Sequence, residues 1–289
     1  NKKLLSGDKL SNQITPESAF MRRKFITKSL ANLGLIGISF SCNAYGAARN
    51  NTDYHGKLDY TKSEQFKQLE ELTSYDDATT YNNFYEFGTG KGDPSKLAPS
   101  MLRVSPWTIE VDGLVKRKRV FGLEDLLSLT PLEERVYRMR CVEGWSMVIP
   151  WVGYSLSKLI NHVQPLGSAK FISFTTLADA GMMPAVGSLR PVLPWPYTEG
   201  LRMDEAMNPL TLLTFGFYGK KLLEQNGAPV RLVIPWKYGF KGAKSIIRIS
   251  FLEKQPQTTW VKVSPREYGF YSNVNPLVSH PRWSQAKER

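Results

Sequence analysis

The sequence predicts an α+β domain with mixed sheets and short helices. Strand-like alternation and helix-like spacing follow one another irregularly, without the regular strand–helix–strand repeat of a wound parallel sheet. No internal repeat or low-complexity segment interrupts the pattern. At 289 residues, 42% hydrophobic and 12% aromatic, the chain is long and apolar enough to bury a sizeable core.

Taken in order, residues 1–48 form a leader, 49–80 a polar segment that wraps the surface, and 81–289 the main domain. A short helix is expected from the N-cap Ser63 to Leu72. Aromatics then break the polarity at residues 82–88, and a Gly-, Asp-, Pro- and Lys-rich loop runs to about Ser100. Trp107–Val111 alternates and ends in Asp112-Gly113, a strand entering a turn. Phe121–Leu129 has helical spacing, Arg135–Cys141 alternates as a strand, and Leu156–Val163 reads as an amphipathic helix. Ala169–Thr176 and Val230–Pro235 read as buried strands, Asp204–Met207 starts a helix, and Ser245–Leu252 is a further strand.

The leader carries Met21-Arg22-Arg23-Lys24-Phe25-Ile26, an apolar run from Ser29 to Phe40, and small residues around Ala44–Ala48. That sequence of basic, apolar and small-residue zones is a bacterial export signal. The run is too short to cross a bilayer of roughly 30 Å, which takes about 20 apolar residues. Paired arginines before Lys-Phe-Ile resemble the twin-arginine class, which moves folded proteins to the periplasm and needs the twin-arginine export receptor. A lipoprotein site at Cys42 lacks the apolar residue three positions earlier, where Ser39 stands.

The net charge is +12, and seven bases against two acids place +5 of it in residues 1–48. The remaining bases are dispersed among acids rather than massed in a stripe, so no nucleic-acid surface is expected. An anionic cofactor or an acidic membrane surface accounts for the excess equally well.

Of two cysteines, Cys42 lies in the leader, so the mature chain keeps Cys141 alone and can form no internal disulfide. A single cysteine can be a small core residue, a nucleophile or a soft metal ligand. The histidines, His55, His162 and His280, are too scattered for a zinc site or an obvious protease base. No Gly-Xaa-Gly-Xaa-Xaa-Gly or phosphate-loop lysine motif supports a nucleotide. Thiolate suits a soft metal, and Arg138 and Arg140 beside it would favour ionisation. A second concentration of unusual residues, Asn226 to Lys244, reads as a strand opening into a glycine-spaced loop with three lysines. Glycines admit a ligand close to the backbone and lysines neutralise phosphate; a core strand with a solvated basic turn is the other reading.

Five segments together carry a family resemblance: Tyr-Asn-Asn-Phe-Tyr-Glu-Phe-Gly (81–88), Arg-Met-Arg-Cys-Val-Glu-Gly-Trp-Ser-Met (138–147), Asn-Gly-Ala-Pro-Val-Arg-Leu (226–232), Pro-Trp-Lys-Tyr-Gly-Phe-Lys-Gly (235–242) and Tyr-Gly-Phe-Tyr-Ser-Asn-Val-Asn-Pro (268–276). They resemble the MsrP family, periplasmic molybdenum-containing catalytic subunits of protein-methionine-sulfoxide reductases, in the sulfite oxidase superfamily. The resemblance runs from the twin arginines to Arg289, and members continue some tens of residues past Pro281–Gln285, so the C-terminus reads as cropped.

The resemblance implies a sulfite oxidase-type molybdopterin-binding domain over 81–289 and one molybdenum-molybdopterin per chain. It implies Cys141 as the thiolate on the metal, with Glu143 and Asn83 facing the metal's open side as catalytic residues. Asn82, Tyr85, Glu86, Thr176, Asn226, Arg231, Gly242, Ala243 and Lys244 would hold the pterin and its phosphate. The implied activity is oxygen-atom transfer from methionine sulfoxide in oxidised periplasmic proteins, with electrons from a membrane b-type haem subunit, MsrQ. Sulfite oxidases follow their cysteine with Ala-Gly-Asn-Arg-Arg, whereas this chain has Val-Glu-Gly-Trp-Ser, residues 142–146. An acidic residue there argues for a neutral sulfoxide and against sulfite. The alternatives are a sulfite or other small S- or N-oxide oxidoreductase of the same superfamily, and a cofactor-free binding or chaperone-like protein.

Replacing Arg22 and Arg23 by lysine should hold the protein in the cytoplasm, because lysine keeps the charge and loses the planar donor fork. Cell fractionation checks this, and undiminished export would point to the general secretory route.

Overall fold

The computed structural model describes residues 54–66 and 70–289. They belong to two compact units, one of residues up to Val274 together with Glu288–Arg289, the other holding Asn275–Lys287. Among the described residues the strands are, in chain order, β1 (Thr61–Lys62), β2 (Thr108–Gly113), β3 (Arg119–Gly122), β4 (Glu133–Arg140), β5 (Ser146–Ser155), β6 (Phe171–Thr176), β7 (Thr198–Arg202), β8 (Leu212–Phe217), β9 (Lys220–Lys221), β10 (Arg231–Val233) and β11 (Ile246–Leu252). One sheet runs β1-β4-β5-β8-β10 with β9 beside β8, and the other β3-β2-β11-β6-β7. β1 lies parallel to β4 and β2 to β11, while the other pairings are antiparallel. Among the described residues the α-helices run from five to nine residues. The architecture is the expected α+β, with mixed sheets and short helices.

Period-2 strands form where the sequence alternates. In β2, Ile109 and Val111 are buried between exposed Thr108 and Glu110, and β11 buries Ile246, Ile249 and Phe251. β5 and β8 lack that signature. Val148–Ser155 and all of β8 are buried, because β5 lies between β4 and β8 and β8 between β5 and β10. A continuous apolar run containing Pro150 and Gly153 gives no alternation to read, and neither strand was expected from the sequence.

Three sequence expectations fail for identifiable reasons. In place of a helix over 63–72 there is only a 3-10 turn at Glu64–Phe66, and residues 70–74 are not helical; 67–69 lie outside the described residues. Backbone groups there go to the sheet instead, Ser63 N–H to Glu134 O (3.2 Å) and Thr73 N–H to Val148 O (3.0 Å). The loop expected to reach Ser100 is a helix from Asp93 to Met101, with Pro94 in its first turn, where a missing N–H costs nothing. Phe121 belongs to β3, opposite Ile109, and the helix begins only at Leu123, where Asp125 accepts from Gly122 N–H (2.9 Å).

The segment 235–244 is anchored by buried charge. Lys241 Nζ donates to Glu199 Oε2 (2.5 Å) and Gly200 O (2.8 Å), with both charged side chains fully buried. Lys237 Nζ donates to Glu205 Oε1 (2.5 Å), Tyr271 O (2.7 Å) and Asn273 Oδ1 (2.8 Å). In the second unit, the His280 ring stacks on Trp283 with centroids 3.6 Å apart.

Glu199→Ala should destabilise the protein by about 3–5 kcal/mol, since it leaves the Lys241 ammonium buried without its counter-charge. Glu199→Leu combined with Lys241→Met should recover most of that loss in urea denaturation.

Candidate active site

Cys141 sits on the turn between β4 and β5. Cys141 N–H donates to Trp145 O (2.8 Å) and Gly144 N–H to Cys141 O (3.0 Å), so five residues reverse the chain. Gly144, at φ +81°, takes the left-handed conformation that the reversal needs. The half-buried thiol is pushed up to about 12, by burial and then by the Glu143 charge. The flanking arginines do not offset this. Arg138 pairs with Glu288 (2.6 Å) and with Glu70, and Arg140 pairs with Glu288 (3.0 Å). The expectation that they favour a thiolate fails for that reason.

Asn83 and Glu143 meet Cys141 directly. Asn83 Nδ2 lies 3.6 Å from Cys141 Sγ and 3.3 Å from Glu143 Oε2. Glu143 also accepts from Trp145 Nε1 (2.9 Å) and from Lys91 Nζ, at 2.9 and 2.7 Å to its two oxygens. The Lys91 charge and these donors outweigh burial and hold the Glu143 carboxyl below its ordinary range.

A second group gathers where the helix Tyr75–Thr80, the 3-10 turn Glu224–Asn226 and β10 come together. Asn82 Nδ2 and Asn226 Nδ2 both donate to Ala78 O, at 3.1 and 2.8 Å. Arg231 Nη1 donates to Asn226 O (2.9 Å), and its guanidinium lies over the Trp151 ring, 4.9 Å from the centroid. Burial lowers Arg231 to about 10. Glu86 is buried, accepts from Thr176 Oγ1 (3.4 Å), and is raised to about 7 by desolvation. Lys244, 5.5 Å over the Phe84 ring, is lowered to about 8 by burial and the Arg231 charge, against the fields of Glu86 and Cys141. Gly242 lies where a Cβ would meet Leu232 O at 2.7 Å, so the backbone of Gly242–Ala243 packs against β10. Tyr85 turns its ring edge-on to Trp260, with centroids 5.7 Å apart.

The family profile described as an oxidoreductase molybdopterin binding domain matches residues 96–260. The protein-methionine-sulfoxide reductase catalytic subunit MsrP of Ralstonia nicotianae is 54% identical over 286 residues, 99% of this chain and 85% of that one. The MsrP of Burkholderia mallei is 53% identical over 289 residues, covering 99% and 86%. That of Pseudomonas syringae pv. tomato is 51% identical over 294 residues, covering 98% and 87%. The chain belongs to the MsrP family. It is a molybdopterin oxidoreductase.

The residues present suit the group that this MsrP-family domain is named for. Asn82 Oδ1, Asn226 Oδ1 and Gln225 Oε1 are buried without a hydrogen-bond partner, acceptors that await donors. Among the described residues no three His, Cys, Asp or Glu side chains gather to hold a metal. The loop 235–244 offers fewer cations than its sequence suggests. Lys237 and Lys241 are committed to Glu205 and Glu199, and of the three lysines Lys244 alone has no hydrogen bond or ion pair among the described residues. Sequence reasoning missed Lys91, Trp145 and Gln225. Lys91 looked like loop polarity, and Gln225 showed only as the neighbour of Asn226.

If Lys244 receives an anionic group of the cofactor, Lys244→Glu should lower cofactor retention by roughly tenfold or more, because a charge-assisted bond of about 1.5–3 kcal/mol would give way to repulsion. Molybdenum and pterin analysis of purified protein measures it, and full occupancy would remove this loop from the binding site.

Proposed function

We propose that this chain reduces methionine sulfoxide residues in oxidised periplasmic proteins, converting sulfoxide, two electrons and two protons into thioether and water. Molybdenum-molybdopterin, one per chain, would supply the two-electron oxygen-atom chemistry. The names of the 51–54% identical relatives support the reaction. The observation that carries the substrate class is charge. Glu143 stands beside Cys141 with its carboxylate compensated by Lys91, while Arg138 and Arg140 are committed to Glu288 and Glu70. The two guanidinium groups of β4 that lead into the turn are thus already salt-bridged to carboxylates, which disfavours an anion such as sulfite, whereas a neutral sulfoxide needs no counter-charge.

The chain's own residues would hold, orient and shield. Cys141 would be the single protein ligand to the metal, and the metal would have to displace the proton of a thiol raised to about 12. The unpartnered oxygens of Asn82, Gln225 and Asn226 would accept from the pterin's N–H groups. Lys244, Arg231 and the Gly242–Ala243 backbone would receive its phosphate, and Thr176 and Glu86 would border the pterin. Electrons would come from a membrane b-type haem subunit of the MsrQ kind. The Arg22-Arg23 leader supports export in the folded state to the periplasm, through the twin-arginine receptor.

Purified holoenzyme with a reduced viologen should recover methionine from oxidised periplasmic proteins; no recovery alongside brisk sulfite oxidation would overturn the reading. Cys141→Ala should reduce turnover to background while the pterin stays bound through its polar contacts. Near-normal turnover in that variant would make the thiol a core residue.

A further inference from the structure

We propose that Lys91 is a positioning residue, whose ammonium decides which end of the Asn83 amide faces Cys141. An ammonium has three donors and no acceptor. Lys91 places them on Glu143 Oε1 (2.9 Å), Glu143 Oε2 (2.7 Å) and Asn83 Oδ1. The end of the amide against Lys91 therefore has to be the carbonyl. At the other end stands Glu143 Oε2, which only accepts, 3.3 Å from Nδ2. Two demands of opposite sense, at opposite ends of one amide, fix the same orientation. Its result is a pair of N–H donors directed at Glu143 and at Cys141 Sγ, 3.6 Å away.

The backbone holds Lys91 where this requires it. Lys91 O accepts from Asn82 N–H (2.9 Å), beside Asn83 in the chain. Asp93 Oδ2 takes Gly90 N–H (2.7 Å) and Asp93 N–H returns to Gly90 O (3.1 Å), closing the turn around Lys91. A Cβ on Gly90 would come within 2.8 Å of that carboxylate, so the turn is packed to the backbone.

The consequence is a choice of polarity beside the thiol. A donor turned to Sγ tempers a thiolate's electron donation, and it suits a sulfoxide oxygen, which is an acceptor; an inward carbonyl would oppose both. The second half of that statement rests on the methionine-sulfoxide reading, while the orientation itself does not.

The test compares holoenzyme with Lys91→Met, Asn83→Ala and the double variant. Lys91→Met should keep its molybdenum and pterin, shift the metal's midpoint potential to more negative values, and lower kcat by about tenfold with little change in KM. Lys91→Met should cost much less in the Asn83→Ala background than in the wild type, in potential and in kcat, because only the loss of charge beside Glu143 remains. Additive losses, an unmoved potential, or loss of the cofactor from Lys91→Met would each overturn the proposal. If Lys91→Met does not fold, Lys91→Gln carries the same comparison, since an amide has only two donors, no charge and an acceptor of its own. The potentials are read without substrate, so they answer for Lys91 even where no sulfoxide is reduced.

Discussion

The antiparallel pairing of β4 with β5 is the constraint from which the site hangs. Its register runs from Glu133 opposite Gly153 to Arg140 opposite Ser146, and this leaves Cys141–Trp145 as the reversal. A slip of one residue would turn every side chain of β4 to the other face. β5 is fixed on its far side by β8, where a Cβ on Gly153 would meet Leu213 O at 2.1 Å. The thiol is thus located by two buried strands whose close approach admits no side chain at that point.

Charge at the site is set by what the protein spends elsewhere. Buried cations are costly unless paired, and most of those near the site are paired within the chain: Lys237 with Glu205, Lys241 with Glu199, Arg140 with Glu288. Lys244 and Arg231 stand apart, since burial lowers both and neither is in a salt bridge among the described residues. An anionic ligand would relieve that unfavourable desolvation, so these two cations, rather than Lys237 and Lys241, are the ones a phosphate would suit.

The fold class was legible because alternation survives wherever a strand has one polar face, as in β2 and β11. β5 and β8 were not legible, since strands buried on both faces carry no period. The helix Asp93–Met101 was hidden by Pro94 and Pro99, which read as loop formers until the first is seen in the opening turn. At the site, Cys141, Glu143, Asn83, Asn226 and Arg231 came forward through their motifs. Lys91 did not, because its importance lies in a contact across 52 positions with Glu143, which local pattern cannot express.

The turn that carries Cys141 is also bonded to the last residues of the sequence. Arg289 N–H donates to Gly144 O (3.0 Å) and Ser146 N–H to Arg289 O (2.9 Å), with Glu288 joined to Arg140 beside them. During synthesis at about 5–20 residues per second, β4 and β5 leave the ribosome well before this clasp can form. For some seconds the thiol's turn is therefore open on one side, and the nascent chain cannot complete the site. Translation order thus sets the earliest moment at which this side of the turn can close.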